Sequence, residues 1–494
     1  MRMMLTALMV ATAIPVAAAP LDTPVQDDYW AAGRAALADR LRAVNRPKRA
    51  KNVILMIGDG MGIATITAGR IFDGQNPGDG SPRRSGEENS LSFEKLPNVA
   101  LVKTYNSNAQ VPDSAGTASA MNTGVKTRIG VINFGQAQLA DACATPDKLP
   151  RTIAEIAKAQ GMAVGVVTTT RLTHATPAAV YGHVPSRNWE GADRSFSAAD
   201  RKAGCPDLAS QLVDFAPGGG LDLALGGGRA RFRPIAAGGL RDDGVDLVAR
   251  WQARFPAGHF ASDAAAFRAL NPGDKAPVFG LFNDDHLSFE TDRDTAKEPS
   301  LTEMAAFAVK KMQASDKKGY YLMIEGGRID HAHHATNPYR ALSETQQFSR
   351  AVAAVLASVN LDDTLVLVTA DHSHVMTIAG YPERGNDILG YIKNAAAGES
   401  AGKTSKEGWA LDDRGQPMTT ISYANGPFSG PGVSRLLPPT DKNYLADKLH
   451  GTDSESHGGE DVALFAAGPR ADLVSGVVEQ NYIFHVIAEA LGWR

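Results

Sequence analysis

The stretch NVILMIGDG (52–60) decides the fold, because it is the first of several apolar runs that end in polar or glycine-rich residues. Continuous Val, Ile and Leu is typical of strands buried on both faces of a sheet. The other runs are AVGVVTTT (163–170), LDLALGGG (221–228), YYLMIEGG (320–327), TLVLVTADH (364–372) and VALFAAG (462–468).

Helical patterns lie between these runs, at residues 149–161, 300–313 and 340–358. Strands that alternate with helices predict an α/β fold with a mainly parallel sheet. We therefore expect a three-layer sandwich, in which helices flank a central, mainly parallel sheet.

Composition describes a globular protein with a sizeable core. The chain has 494 residues, of which 43% are hydrophobic and 21% are charged. Its formal net charge is only −4. A balance so close to neutral argues against nucleic acid as a specific partner, although it leaves room for a local basic pocket.

The N-terminus, MRMMLTALMVATAIPVAAAP (1–20), predicts a secretory signal peptide over residues 1–19. Arg2 precedes an apolar run, and three small residues (17–19) follow it. The alternative is a short buried helix. No other run is long and apolar enough to predict a membrane span. We expect a periplasmic or secreted protein.

The only cysteines in the sequence are Cys143 and Cys205. In an oxidising compartment an isolated pair is a disulfide candidate. Two free buried thiols are the alternative.

The chain divides into three parts. Residues 20–50 form an N-terminal segment with a helix, and residues 51–494 form one large domain. Within that domain, the polar stretch 73–90 predicts a surface insertion. Residues 384–450, rich in Gly, Pro, Lys and Asp, predict a small inserted subdomain between the fifth and last strands.

Polar residues collect where the predicted strands end. Asp59 closes the first strand, Glu325 the fourth, and Asp371 with His372 the fifth. Ligands of such sheets bind outside the carboxyl ends of the strands. A single acid there is often a helix cap, but several in one chain predict a polar cluster at one edge.

The richest motif is EGGRIDHAHH (325–334), with two acids and three histidines in ten residues. Asp330 and His334 are spaced i, i+4, so one helical turn puts both on one face. Carboxylate oxygen and imidazole nitrogen are ligands that suit Zn²⁺. The alternative is a solvated polar loop. Two acids and three histidines directly after a buried strand favour the metal site instead.

Three further motifs are weak alone. TADHSHV (369–375) presents Asp371 and His372, and ESHGGEDV (455–462) presents His457. GDGMG (58–62) lacks both the dinucleotide and the Walker pattern, so we interpret Asp59 as a hard metal ligand. In isolation, a solvated loop is the favoured interpretation of each histidine.

Two more stretches carry candidates for phosphate chemistry. TRLTHATPAA (170–179) offers His174 and Thr176, and Arg187 follows as a bidentate anion binder or an ordinary surface salt bridge. VPDSAGTASAMNTG (111–124) holds Ser114, which could be a nucleophile, a helix cap or part of a turn. It has no Gly-x-Ser-x-Gly elbow.

Taken together, these residues predict a phosphoryl-transfer site. Two Zn²⁺ ions about 4 Å apart can clamp the entering and leaving oxygens of an in-line displacement. A serine held on one ion becomes a strong nucleophile, and an arginine holds the remaining phosphoryl oxygens.

With these motifs in order, the chain resembles the alkaline phosphatases of the metal-dependent serine type, from about Lys51 to the last helix. The series is specific although each member alone is not. It consists of VPDSAGTA (111–118), IGDGMG (57–62), THATPA (173–178), EGGRIDHAHH, TADHSHV and HGGEDV (457–462).

The resemblance implies a role for each matching residue. Ser114 would be the phosphorylated nucleophile, Arg187 would bind the substrate phosphate, and Asp113 would orient Arg187. The implied metal ligands are Asp330, His334 and His457 for one zinc, Asp59, Asp371, His372 and Ser114 for the second, and Asp59, Thr176 and Glu325 for Mg²⁺.

Two histidines near the implied Mg²⁺ site, His174 and His331, match the animal-type members rather than some bacterial ones. Histidine there should loosen Mg²⁺, because a hard cation prefers oxygen. The resemblance also implies a Cys143–Cys205 disulfide and a homodimer. The animal-type calcium pattern is not clear in residues 280–294, and the lipid-anchoring tail of those enzymes is absent.

The function that follows is hydrolysis of phosphate monoesters through a phosphoserine at Ser114, assisted by two zinc ions and one magnesium ion. A related phosphodiesterase or sulfatase-like hydrolase is the nearest alternative. A sulfatase needs a convertible cysteine or serine, and no cysteine lies in 111–118. The other alternative is a non-catalytic, exported metal- or phosphate-binding protein.

Overall fold

A computed structural model describes residues 30–31, 33–35, 37–38, 49–78, 80–136, 148–196, 200–201, 204, 206–393, 403–427 and 437–493. The predicted signal peptide, most of residues 20–50, and both Cys143 and Cys205 lie outside the described residues.

The described residues form fifteen strands in three sheets. They are β1 (Asn52–Gly58), β2 (Asn98–Lys103), β3 (Ala163–Arg171), β4 (Leu223–Gly227), β5 (His259–Ala261), β6 (Val278–Leu281), β7 (Tyr320–Gly326), β8 (Thr364–Ala370), β9 (Ser373–His374), β10 (Met376–Ile378), β11 (Ile421–Pro427), β12 (Lys448–Thr452), β13 (His457–Gly458), β14 (Val462–Ala467) and β15 (Gly476–Glu479).

Twelve α-helices are described in the same part of the chain. They are α1 (Ile63–Gln75), α2 (Ser114–Thr123), α3 (Ile153–Ala159), α4 (Ala175–Ala178), α5 (Leu208–Asp214), α6 (Arg229–Phe232), α7 (Leu247–Arg254), α8 (Ala264–Arg268), α9 (Leu301–Gln313), α10 (Arg328–His334), α11 (Pro338–Ser358) and α12 (Tyr482–Leu491).

The central sheet has ten strands in the order β15-β2-β14-β8-β1-β7-β3-β4-β6-β5. All strand pairs are parallel except those of β14, which runs antiparallel to β2 and β8. The α/β fold class and the mainly parallel sheet are thus confirmed. All six apolar runs form strands of this sheet.

Local sequence explains the elements that were predicted. Every residue of β1, β7 and β8 is buried, as expected for strands covered on both faces. α9 begins with a capping box between Ser300 and Glu303, and α11 begins with Pro338 behind the capping side chain of Asn337.

Four strands of the central sheet were not predicted: β2, β5, β6 and β15. β5 and β6 have only three and four residues. β2 alternates buried and exposed residues beside the edge strand β15. Such short or half-exposed strands lack the continuous apolar run by which the central strands were found.

A second, smaller sheet, β10-β11-β12, spans residues 376–452. It has its own apolar core, which includes Ile421 and Tyr423 of β11 and packs on α1 and α11. The polar stretch 73–90 meets it, since the Gln75 amide donates to the Asn386 carbonyl at 2.8 Å and accepts from the Ile388 amide at 3.0 Å. The domain boundaries themselves stay a prediction.

The sheet order brings six segments to one edge. β1, β3, β7 and β8 end there, and β2 leads there into α2. Because β14 is antiparallel, the residues that precede it reach the same edge. Among the described residues, no helix is both long and apolar enough to cross a membrane.

Candidate active site and metal centre

Helix α2 places Ser114 at its first residue, and the cap is Asp113. The Asp113 side chain accepts from the Gly116 amide at 3.1 Å. The interpretation of Ser114 as the helix cap is therefore wrong, because the neighbouring carboxylate takes that position. The Ser114 hydroxyl is left free to point elsewhere.

The Ser114 hydroxyl points at acids and histidines from other elements. Its Oγ lies 3.1 Å from Nε2 of His372 and 3.5 Å from Oδ1 of Asp59. All three residues are buried. Residues 55 and 258 positions away in sequence thus converge on one hydroxyl.

Asp113 also holds Arg187. Its Oδ2 accepts from Nη1 of Arg187 at 3.1 Å and from the Gly130 amide at 2.9 Å, while Oδ1 accepts from Asn106 at 3.0 Å. Arg187 is not a surface salt bridge remote from the other motifs. Its Nη2 lies 3.1 Å from Nε2 of His174, so its guanidinium lies next to the predicted site.

Helix α10 brings Asp330 and His334 together as their spacing predicted. His334 Nε2 lies 3.3 Å from Asp330 Oδ1, and 3.1 Å from Nε2 of His457. His374 Nε2 lies 2.8 Å from the same Asp330 oxygen. We call this set, Asp330, His334, His374 and His457, the Asp330 cluster.

The histidines of the Asp330 cluster are held by their other ring nitrogens. His457 Nδ1 bonds the Pro112 carbonyl at 2.7 Å, and His334 Nδ1 bonds the Glu455 carbonyl at 2.6 Å. Such contacts orient the free Nε2 atoms of histidine ligands. In this setting the Nε2 atoms converge near one carboxylate oxygen.

Three buried carboxylates form a second set, which we call the Asp59 cluster: Asp59, Glu325 and Asp371. A turn after β8 brings Asp371 and His372 to one place. His372 Nε2 lies 3.4 Å from both Asp59 Oδ1 and Asp371 Oδ2. The Gly60 amide donates to Asp371 at 3.0 Å, which ties the loop after β1 to the turn after β8.

Charge differs between the two clusters. Burial raises the pKa of Asp59 well above its usual range, and the Asp371, Asp330 and Glu325 carboxylates raise it further. Burial also raises the pKa of Asp371, and that of Glu325 to about 7. In contrast, burial would raise the pKa of Asp330, but His334, His374 and His457 hold it well below its usual range.

Several buried polar atoms near the Asp59 cluster have no hydrogen-bond partner among the described residues. They are Asp59 Oδ2, Glu325 Oε1, Thr176 Oγ1 and His174 Nδ1. A buried polar atom without a partner is costly. Three carboxylates with raised pKa values, of which Asp59 and Glu325 each have an oxygen without a partner, fit a site built for cations.

Ligand-type atoms form four groups that overlap the Asp330 cluster and the Asp59 cluster without coinciding with either. Within each of four sets in the described chain, the ligand atoms lie within 4.8 Å of one another. These sets are Asp330, His372, His374 and His457; His334, His374 and Glu455; Asp59, His174 and Glu325; and Asp59, Asp371 and His372.

His174 and His331 lie in a cluster of rings with His286. The ring centroids are 5.4 Å apart for His174 and His331, and 4.2 Å apart for His286 and His331. Burial, together with the nearby Arg187, lowers the pKa of His174 well below its usual range. A ring nitrogen of His174 also lies within 4.8 Å of carboxylate oxygens of Asp59 and Glu325. In contrast, Nδ1 of His331 donates to the Gly327 carbonyl at 3.1 Å.

Sequence reasoning missed His374 and Glu455. Glu455 Oε2 lies 2.5 Å from Nδ1 of His374, whose Nε2 reaches Asp330. Both residues stand in quoted motifs, DHSHV and ESHGG, but only the histidine nearest each strand was considered. The presence of a second histidine two residues after His372 was the available signal.

Comparisons with known proteins identify the family to which the chain is similar. Residues 50–493 match the family model described as alkaline phosphatase. The tissue-nonspecific alkaline phosphatase of Gallus gallus is 41% identical over 485 residues, covering 94% of this chain and 89% of that protein. The alkaline phosphatase of Gadus morhua is 39% identical over 480 residues, covering 93% and 95%.

Solved structures agree in fold. The alkaline phosphatase of the Antarctic bacterium TAB5 aligns with a TM-score of 0.62 at 22% identity, covering 91% of this chain and all of that one (100%). The Thermus thermophilus enzyme gives a TM-score of 0.63 at 24% identity, covering 90% and 92%.

Proposed function

The chain belongs to the alkaline phosphatase family, and we propose that Ser114 is the nucleophile with which it hydrolyses phosphate monoesters. Its activity is that of a phosphomonoesterase, EC 3.1.3.1, as in relatives about 40% identical over most of the chain. The roles of individual residues are our proposal.

The observation that carries the role of Ser114 is its place at the start of α2. Its hydroxyl faces His372 at 3.1 Å and Asp59 at 3.5 Å. It thus lies at the sheet edge that holds the Asp59 cluster and the Asp330 cluster. A serine that merely capped a helix would turn its oxygen toward the helix amides instead.

In the proposed reaction, Ser114 Oγ attacks the phosphorus in line with the bond to the ester oxygen. That bond breaks, the alcohol leaves, and the phosphoryl group stays on Ser114. Water then attacks the phosphoserine, which releases inorganic phosphate and restores the hydroxyl. Two inversions give net retention of configuration at phosphorus.

Arg187 would hold the phosphoryl group in this scheme. Nη1 is fixed by Asp113 and Nη2 lies against His174, so the guanidinium is oriented before a substrate arrives. A planar guanidinium suits two phosphoryl oxygens at once. Orientation in advance lowers the cost of charge stabilisation during transfer.

The proposed cofactors are two zinc ions and one magnesium ion. Asp330, His334 and His457 would hold the first zinc, and Asp59, Asp371, His372 and Ser114 would hold the second. Zinc supplies charge neutralisation and polarisation of oxygen at such positions. The first set is supported by the Nε2 atoms of His334 and His457, which lie 3.3 and 3.5 Å from Asp330 Oδ1. The second is supported by the grouping of Asp59, Asp371 and His372 and by the raised pKa values of the two aspartates.

Asp59, Thr176 and Glu325 would hold magnesium. The unpartnered oxygens of all three residues support this proposal. His174 adds a nitrogen donor to the same place, which favours a softer metal than Mg²⁺. A variant of the TAB5 enzyme with one histidine changed to aspartate is described with Mg bound in its M3 site.

Substitution of Ser114 by alanine tests the proposal. Ser114→Ala should lower kcat on an aryl phosphate by several orders of magnitude, and no phosphoprotein should form when the enzyme is quenched with acid during turnover. Ser119→Ala is a matched control in the same helix, because its hydroxyl bonds the Ala115 carbonyl at 2.6 Å. Near-normal turnover by Ser114→Ala would exclude the covalent step.

A diesterase or sulfatase activity would be revealed by the same enzyme preparation. The rates on an aryl phosphate monoester, the matching diester and the matching sulfate should rank with the monoester far ahead. A diester rate equal to or above the monoester rate would contradict the proposed substrate class.

Export, assembly and the disulfide complete the proposal. We expect cleavage near residue 19, a homodimer and a Cys143–Cys205 bond. A relative from Bombyx mori is described as membrane-bound. N-terminal sequencing of protein from the medium or periplasm, light scattering, and a mass difference on reduction would test the three points. A retained N-terminus, a monomer or two free thiols would each exclude one of them.

A further inference from the structure

His333 lies between two proposed metal ligands in α10 but belongs to neither ligand set. It is fully buried, and both its ring nitrogens have partners. Nδ1 lies 2.8 Å from the Tyr423 hydroxyl, and Nε2 lies 3.0 Å from Thr65 Oγ1.

These two partners come from different elements. Thr65 stands in α1, which follows the Asp59 loop, and Tyr423 stands on β11, the central strand of the small sheet. His333 therefore joins the helix that carries Asp330 and His334 to α1, the helix that follows the Asp59 loop, and to the small sheet.

The small sheet and the segment just before its strand β12 also hold the end of α10. The Ala446 backbone amide donates to the Thr336 carbonyl at 2.9 Å, and Nδ2 of the Asn337 side chain donates to the Lys442 carbonyl at 2.8 Å. At Gly426 of β11 a Cβ would come within 2.2 Å of the Thr336 side chain, so only glycine allows this approach.

Helix α10 needs such support because it has only seven residues. A helix of that length has little stability of its own. Ligand side chains must nevertheless be held within about 0.5 Å of their working positions. A small rotation of α10 would move Asp330 and His334 together.

We propose that Tyr423 is a positioning residue for the metal centre, which acts through His333 by fixing the rotation of α10. The inserted sheet is then a structural part of the catalytic centre. This inference rests on the proposed metal-binding role of Asp330 and His334.

Two isosteric substitutions remove the two contacts of His333 separately. Tyr423→Phe deletes one hydroxyl, and Thr65→Val replaces the other with a methyl group. In the zinc-loaded holoenzyme, each should speed zinc release to a chelator roughly tenfold, as losses of outer contacts to metal ligands do. The visible absorption of the Co²⁺-substituted enzyme should also change, because it reports ligand geometry. Tyr391→Phe is the matched control, since that ring packs on Trp409 in the same inserted region.

A double-mutant cycle tests the path through His333. In a His333→Gln background, Tyr423→Phe should have no further effect on zinc release. An undiminished effect there, or release within twofold of wild type for Tyr423→Phe alone, would overturn the proposal. Wild-type enzyme that binds no zinc would instead overturn the proposed function, so the two failures are distinguishable. Circular dichroism separates loss of fold from either outcome.

Discussion

The Asp330 cluster and the Asp59 cluster lie at the same sheet edge, yet they balance charge in opposite ways. In the first, three imidazoles surround one carboxylate, whose pKa lies well below its usual range. In the second, burial and mutual repulsion raise the pKa of three carboxylates. The first cluster carries its own counter-charges, and the second depends on cations from outside.

This contrast predicts opposite responses to removal of one carboxylate in chelator-treated protein. Asp330→Asn should lower the free energy of unfolding by about 3 to 5 kcal/mol, since it removes one partner of a buried ionic group. Asp59→Asn should raise the free energy of unfolding by about 1 to 3 kcal/mol, because it removes a buried carboxylate that has an oxygen without a hydrogen-bond partner. Urea unfolding at pH 8 measures both changes. If both substitutions changed the free energy of unfolding in the same direction, the contrast between the two clusters would be wrong.

The second expected effect is a pH dependence carried by Glu325. Its pKa of about 7 in the folded chain exceeds its ordinary value of 4.5, so the folded state binds the proton more tightly. In chelator-treated protein this group therefore costs little stability below pH 4.5, and it costs up to about 3 kcal/mol above pH 7.

Glu325→Gln isolates that effect. Stripped of metal, the variant should gain stability relative to wild type as pH rises from 5 to 8, and the gain should vanish when metal is restored. A constant difference across this range would show that Glu325 does not titrate there.

Glu455 gives a smaller effect in the Asp330 cluster. It bonds His374, and His374 bonds Asp330, so Glu455→Gln should keep the shape but weaken the orientation of that ligand. We expect zinc affinity to fall about tenfold, measured by chelator competition. Glu460→Gln, an exposed change in the same loop, is the control. Equal affinities would mean that the carboxylate charge does not contribute.

The smallest effect concerns the metal beside His174. His174→Asp should raise Mg²⁺ affinity severalfold, because oxygen replaces nitrogen as the nearest donor. Magnesium titration of activity after chelation would detect it. An unchanged titration would place His174 outside the proposed Mg²⁺ site.

Local patterns in the sequence predicted the fold class and marked candidate site residues at the strand ends. Buried strands such as β7 are continuous apolar runs, and Asp330 with His334 follows helical spacing. The direction in which a strand runs in the sheet leaves no such local pattern. The run that forms β14 looks the same whether it is parallel or antiparallel, so its pairing with β2 and β8 could not be read from residues 462–467.

The contacts between distant segments were also beyond the sequence. Nothing near Ser114 distinguished it from a cap, and only the fold shows that Asp113 takes that position. Likewise, His374 and Glu455 are 81 positions apart, and their contact depends on how β9 and β13 pair. The resemblance supplied the implied roles, but not these supports.

The reversed direction of β14 has a practical consequence for attaching the enzyme to a surface. After His457 the chain runs away from the site edge, and α12 ends beside the start of β1, where the Ala50 amide donates to the Ala490 carbonyl at 2.8 Å. The end of α12 thus lies at the edge of the central sheet opposite Ser114 and the two clusters. An immobilised or fused enzyme attached there should present its site outward.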